Sequence, residues 1–101
     1  MIHVLASIRV KPDCRARYLA VLASNIPAVR AEAGCVEYRA AVDVETGLAA
    51  QKLEGDVVTV IEKWQTLEAL RAHLAAPHMA AYREKAKDLI LGVTLKVLQD
   101  A

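Results

Sequence analysis

The stretch Val60-Ile61-Glu62-Lys63-Trp64-Gln65-Thr66-Leu67-Glu68-Ala69-Leu70-Arg71-Ala72-His73-Leu74-Ala75-Ala76-Pro77-His78-Met79-Ala80-Ala81-Tyr82 decides how this chain folds. It continues a β-branched run from Val57 and reads as the end of a strand. Thr66 suits the cap of a helix, and Glu68 puts a negative charge in its first turn, where the helix dipole favours one. Leu67, Leu70 and Leu74 recur at helical spacing and predict the buried stripe of that helix. Pro77 ends it and suits the first position of a second helix, which the pattern carries to about Leu91. The stretch also holds the only tryptophan, two of the three histidines and one of the three tyrosines. Titratable and polarisable side chains therefore gather at a strand end and on the two helices beside it.

Upstream, Ile2, Val4, Ala6, Ile8 and Val10 alternate with His3, Leu5, Ser7 and Arg9, the period of a strand. Pro12-Asp13 breaks it and opens a helix whose stripe is Tyr18, Leu19, Leu22, Ile26 and Val29. Pro27 lies inside that pattern and predicts a kink or a break. Gly34 is expected to end the helix. Cys35 to Val42 reads as a second strand. A turn over residues 43–47 and a short return strand from Leu48 to Leu53 follow. Gly55-Asp56 turns the chain into the strand Val57–Trp64. Gly92 is expected to break the last helix, with Val93, Leu95 and Val97 alternating as a final strand. The order β-α-β-(β)-β-α-α-β predicts a ferredoxin-like α+β fold, an antiparallel sheet with helices on one face. The other face carries apolar residues, and a second copy of the chain is the simplest cover for it.

At 101 residues, with 55% of them apolar, the chain is expected to form one globular domain over residues 1–101. Thirteen basic and 12 acidic residues nearly cancel, and no basic run exists, which argues against nucleic acid and anionic membranes. No apolar run approaches the roughly 20 residues that span a bilayer, and no signal-peptide pattern opens the chain. Cys14 and Cys35 lack metal spacing and are expected to be reduced thiols of a cytoplasmic protein. There is no Gly-rich phosphate loop, no zinc spacing and no local nucleophile motif. His73 and His78 straddle a proline, a poor geometry for one metal.

Six residues are candidates for chemistry. His78 and Tyr82 are four apart on one helix and share a face. They read either as an acid/base and hydrogen-bonding pair or as a half-buried histidine beside a core tyrosine. His73 borders the leucine stripe and faces either a cleft or water; its imidazole can take a proton near neutrality. Glu62 shares a strand face with Val58, Val60 and Trp64. A carboxylate there is either paired with a cation or raised in pKa within a site. Trp64 reads as core or as a platform for a flat ring. Asn25, two residues before Pro27, either satisfies freed backbone groups or reaches into a pocket.

Taken together, these residues resemble the antibiotic biosynthesis monooxygenase family, most closely its short quinol monooxygenase-like members. The resemblance covers nearly the whole chain. It rests on Val4-Leu5-Ala6-Ser7-Ile8-Arg9-Val10-Lys11-Pro12, on Ile26-Pro27-Ala28-Val29 running into Glu32-Ala33-Gly34-Cys35-Val36-Glu37-Tyr38, and above all on Ile61-Glu62-Lys63-Trp64 with Ala72-His73-Leu74-Ala75-Ala76-Pro77-His78-Met79. It implies a homodimer of the dimeric α/β-barrel type, joined through the sheet face, with a pocket between sheet and helices in each subunit. It implies oxidation of a small hydroquinone-type aromatic by dioxygen, with no metal, flavin or haem. His73, His78 and Glu62 would then be catalytic, with His73 or His78 the base. Asn25, Trp64 and Tyr82 would bind substrate. Related members degrade haem; there the strand asparagine and the ligating histidine correspond to Ser7 and Tyr82, two departures that count against haem here. A small-ligand-binding dimer without turnover, or a processor of a small metabolite, is the alternative on the same fold.

Overall fold

Strand β1 (Ile2–Val10) alternates as its sequence implies: Val4, Ala6, Ile8 and Val10 are buried, while Leu5, Ser7 and Arg9 face outward. In this computed structural model, which describes all 101 residues, β1 lies near the centre of a four-stranded antiparallel sheet. The other strands are β2 (Cys35–Val42), β3 (Val57–Trp64) and β4 (Ile90–Gln99), in the order β2-β3-β1-β4. Helix α1 (Arg15–Arg30) links β1 to β2, and α2 (Leu67–Ala75) and α3 (Pro77–Ala86) link β3 to β4. This is the ferredoxin-like α+β architecture that the element order predicts.

The buried face of β1 meets Val58, Val60 and Trp64 of β3 and, from α1, Tyr18, Leu22 and Val29. Leu70, Met79, Ala86 and Leu89 close the core from the other helices and the turn after α3. Thr66 caps α2 as expected, its Oγ1 accepting the Ala69 N–H at 3.0 Å.

Five local expectations need correction. Pro27 does not break α1, which continues to Arg30. It sits in the last turn, where only one ladder bond is lost, and the Ala31 N–H still closes on the Pro27 carbonyl at 3.2 Å. Gly34 lies beyond the helix end at φ +83°. There the chain must turn sharply under α2: a Cβ at residue 34 would lie 2.6 Å from the Ala69 Cβ. Gly34→Ala is therefore expected to destabilise the fold by about 2 kcal/mol or more; an unchanged urea midpoint would contradict that close approach.

Residues 48–53 form no return strand. The loop from Asp43 to Asp56 is held instead by side chains, with Asp43 accepting the Glu54 N–H and Arg9 pairing with Glu54 at 2.7 Å. β2 already has β3 as its neighbour, so the loop has no strand it must pair with. The third helix stops at Ala86, and Gly92 lies inside β4 opposite Arg9. The Lys11 N–H bonds to the Leu89 carbonyl, which draws the chain into the sheet before the glycine. Finally, α2 buries Leu70 and His73, and leaves Leu67 and Leu74 partly exposed.

The helices stop short of β4. Val93, Leu95 and Val97 stand on the helix side, opposite Ile8, Ala6 and Val4, and each is about half exposed. The opposite sheet face mixes Leu5, Ile61 and Leu98 with Ser7, Thr59, Lys63 and Lys96. The most continuous exposed apolar row is thus on β4, beside the helices.

Candidate functional site

Alternation along β3 puts Glu62 on the helix side between two buried neighbours, Val60 and Trp64. Only 5% of Glu62 is exposed, and the indole Nε1–H of Trp64 donates to its Oε1 at 3.0 Å. No cation pairs with it, so the sheet-edge salt bridge is ruled out. Burial raises the Glu62 carboxyl to about 7; the indole hydrogen bond works against this, and the Glu32 charge adds to it. Glu62 is thus poised to gain or lose a proton near neutrality.

A carboxyl raised in the folded chain keeps its proton where the unfolded chain has lost it. The folded state therefore binds more protons between about pH 4.5 and 7, and stability falls as pH rises through that window. The total is on the order of 3 kcal/mol. Relative to Glu62→Gln, the wild type is expected to lose stability across this window and to run parallel outside it. Urea titrations of both proteins from pH 4 to 8 read this, and curves parallel throughout would refute the raised carboxyl.

His73 is 1% exposed. Its ring lies on Trp64, centroids 4.7 Å apart, and meets Tyr38 edge-on at 5.4 Å. Its Nδ1 is 2.8 Å from Glu32 Oε2, so Nδ1 carries the proton and donates it to the carboxylate. Nε2 has no protein partner, and the residue lines a cavity. Burial lowers the His73 pKa and Glu32 opposes that, so the net effect favours a neutral ring. A neutral imidazole with Nδ1–H anchored and Nε2 free is a proton acceptor.

Glu32 escaped the sequence reading, although a physical signal was there. It follows the C-terminus of α1, where the helix dipole disfavours a negative charge, and such a residue needs donors nearby. It finds His73 and also His78, whose Nε2 is 3.2 Å from Glu32 Oε2. That second contact is not aligned as a hydrogen bond, and His78 Nε2 is left buried without a partner. His78 Nδ1 faces Asn25 Oδ1 at 3.1 Å, while Asn25 Nδ2 donates to the Met79 sulfur.

An open cavity of about 480 Å³ lies between the helix-side sheet face and α2 and α3. Its polar groups are Tyr38, Glu62, His73 and Tyr82, and its walls include Ile8, Val60, Met79 and Leu95, with Arg83 and Lys87 at the mouth. Three of the six candidates line it: Glu62, His73 and Tyr82. The other three stand behind it. Trp64 is wholly buried and backs Glu62 and His73 rather than forming a wall. His78 and Asn25 form a second layer beyond Glu32. Tyr38 is a lining residue that sequence reasoning passed over, because a tyrosine on a strand reads first as core. Ser7 lies on the sheet face turned away from the helices, so it does not reach the cavity. No cluster of metal-binding side chains is present.

A sequence model described as antibiotic biosynthesis monooxygenase matches residues 1–85. The chain belongs to the antibiotic biosynthesis monooxygenase family. An Escherichia coli (strain K12) relative described as "Probable quinol monooxygenase YgiN" is 36% identical, over 98% of this chain and 97% of that protein. The structure of Rv0793 from Mycobacterium tuberculosis superposes with a TM-score of 0.82 at 27% identity, covering 99% of this chain and 94% of that one. A conserved protein from Methanosarcina mazei Go1 shares the fold at a TM-score of 0.84 and 19% identity, covering 99% and 92%. Membership of the antibiotic biosynthesis monooxygenase family supports a monooxygenase-type function for the chain, and the cavity is where the titratable groups converge.

Proposed function

We propose that this chain oxidises a quinol-type aromatic with dioxygen in the cavity, without flavin, haem or metal. The observation that carries the reading is a single cavity-facing histidine, anchored at Nδ1 by Glu32 and set among Glu62, Tyr38 and Tyr82. Similarity to a relative described as "Probable quinol monooxygenase YgiN" supports it.

Dioxygen is a triplet and reacts slowly with closed-shell organic molecules, but a deprotonated quinol is electron-rich enough to pass it one electron. His73 Nε2 takes the quinol proton, and Glu32 steadies the imidazolium that forms. One electron moves from the quinolate to dioxygen, and the radical pair recombines at a ring carbon. Loss of water then leaves a hydroxylated quinone. Quinol and dioxygen thus become hydroxyquinone and water, with no outside reductant. Glu62, with its carboxyl near neutrality, supplies the proton that the departing oxygen needs. Apolar walls keep the radical pair together, and a partner covering Val93, Leu95 and Val97 would keep water out. His78 and Asn25 act behind Glu32 and not on substrate.

The protein is also proposed to act as a cytoplasmic homodimer. The uncovered row Val93, Leu95 and Val97 gives a partner apolar surface to bury, next to the cavity. Cys14 and Cys35 are unpaired, consistent with a reducing compartment. No helix is long and apolar enough to cross a membrane.

The test is oxygen uptake with a reduced naphthoquinone, using isotopically labelled dioxygen. Uptake above autoxidation, with one labelled atom in the ring, is expected. Uptake no faster than the protein-free control would overturn the enzyme reading and leave a ligand-binding dimer. Labelled peroxide without labelled product would make the chain an oxidase instead.

A further inference from the structure

Where α1 packs on α3, Tyr18 and Tyr82 meet hydroxyl to hydroxyl, their rings edge-on with centroids 6.4 Å apart. Their surroundings differ. Tyr18 is 0% exposed and does not line the cavity; Tyr82 is half buried and does. The Tyr82 oxygen is the only hydrogen-bonding partner the Tyr18 hydroxyl has. A buried hydroxyl proton with no acceptor is costly, so Tyr18 must donate and Tyr82 must accept. The reverse arrangement would aim the Tyr18 proton into apolar core. Tyr82 is then left to point its own proton elsewhere, and the open direction is the cavity. A phenol that accepts one hydrogen bond donates the next one more strongly.

We propose that Tyr18 is a positioning residue that turns the Tyr82 proton into the cavity, making Tyr82 the donor that holds the ionised oxygen of an aromatic hydroxyl substrate. This rests on the reading of the cavity as an aromatic-hydroxyl site, and it assigns the anion a place. His73 and Glu62 are the groups in that space suited to taking protons, whereas Tyr82 is suited to giving a hydrogen bond. Burial, then the charge and hydrogen bond of Tyr82, raise the Tyr18 pKa; burial also raises that of Tyr82, with the bond from Tyr18 working against it. Both phenols therefore keep their protons and donate. Arg83, the nearest cation along α3, already donates to the Leu74 carbonyl at 2.7 Å.

The experiment uses 4-nitrophenol, whose neutral and anionic forms absorb differently, with nitrobenzene as the ring lacking a hydroxyl. Neither requires turnover. The wild type is expected to bind 4-nitrophenol with a larger anionic fraction than buffer of the same pH shows. Tyr82→Phe should weaken the anion about tenfold or more, the usual effect of losing a hydrogen bond to a charged group. Tyr18→Phe should weaken it about three- to fivefold, leave nitrobenzene unchanged, and add nothing in the Tyr82→Phe background. Placing 3-fluorotyrosine at residue 18, a better donor of nearly the same shape, should raise the bound anionic fraction. Additive losses in the double variant would overturn the proposal. So would an equal loss of nitrobenzene binding, or a wild type that does not bind the phenol. A wild type that binds and ionises 4-nitrophenol but consumes no oxygen would remove the enzyme reading and leave this one standing.

Discussion

His73→Asn is expected to lower kcat for oxygen uptake by about 10²–10⁴-fold, the usual contribution of a positioned general base, while leaving the protein folded. Asparagine places an amide near the position of imidazole Nδ1, so it can still donate to Glu32, the contact that holds His73 at 2.8 Å. It cannot replace Nε2, the nitrogen left to the cavity. His73→Ala should lose as much activity and also stability, because it opens a void beside Trp64 and removes the Glu32 donor. His78→Ala should cost less than about tenfold, as expected of a residue acting through another, since His78 does not line the cavity. Steady-state oxygen consumption by the three variants separates the roles. A larger loss for His78→Ala than for His73→Asn would reverse the assignment.

Trp64→Ala is expected to produce the largest stability loss of any single truncation, about 3–5 kcal/mol. Trp64 is wholly buried, lies on the His73 ring and donates to Glu62. Removing it opens the core, frees the histidine and strips a buried carboxyl of the donor that opposes its raised pKa. Trp64→Phe separates these effects. It keeps most of the packing and removes the N–H, so the Glu62 carboxyl should rise above about 7 and the alkaline limb of the pH–rate profile should move up with it. Urea midpoints read the first effect and pH profiles of oxygen uptake the second. A loss below about 1 kcal/mol for Trp64→Ala would contradict the packing role, and an unmoved profile for Trp64→Phe would detach Glu62 from the rate.

The two tryptophan effects show why the opening stretch was informative beyond its secondary structure. Period-two alternation already places Glu62 and Trp64 on one face, and Thr66 and Pro77 bracket a helix. These are local consequences of chain geometry and capping chemistry, and they were legible. The rotation of α2 was not. Leu70 with either Leu67 and Leu74 or with His73 can face the sheet at helical spacing, and a count of apolar residues favours the leucines. The histidine is buried because Glu32, 41 positions away, satisfies Nδ1, and because Trp64 and Tyr38 offer ring faces and edges. A polar side chain can be buried when its partner is present, and a partner so distant in sequence leaves no local trace.

Glu32 and Tyr18 teach the same lesson. Glu32 reads as one of several acids near a helix end, and only the approach of His73 on α2 makes it the anchor of a histidine. Tyr18 reads as one member of an apolar stripe, and only its contact with Tyr82 gives its hydroxyl a direction.

Periodicity, caps and breakers account for the four strands, the three helices and their order, because each depends on residues within a few positions, but they also suggest a strand at 48–53 and a last helix running to Leu91 that the structure does not have. They also name Asn25, Glu62, Trp64, His73, His78 and Tyr82 as the candidates for chemistry. Which of the six candidates share a cavity, which nitrogen of which histidine is free, and which carboxylate serves it depend on the rotation of each helix against the sheet. That rotation is set by packing and by polar pairing between segments far apart in the chain, and those terms exist only once the chain has closed on itself.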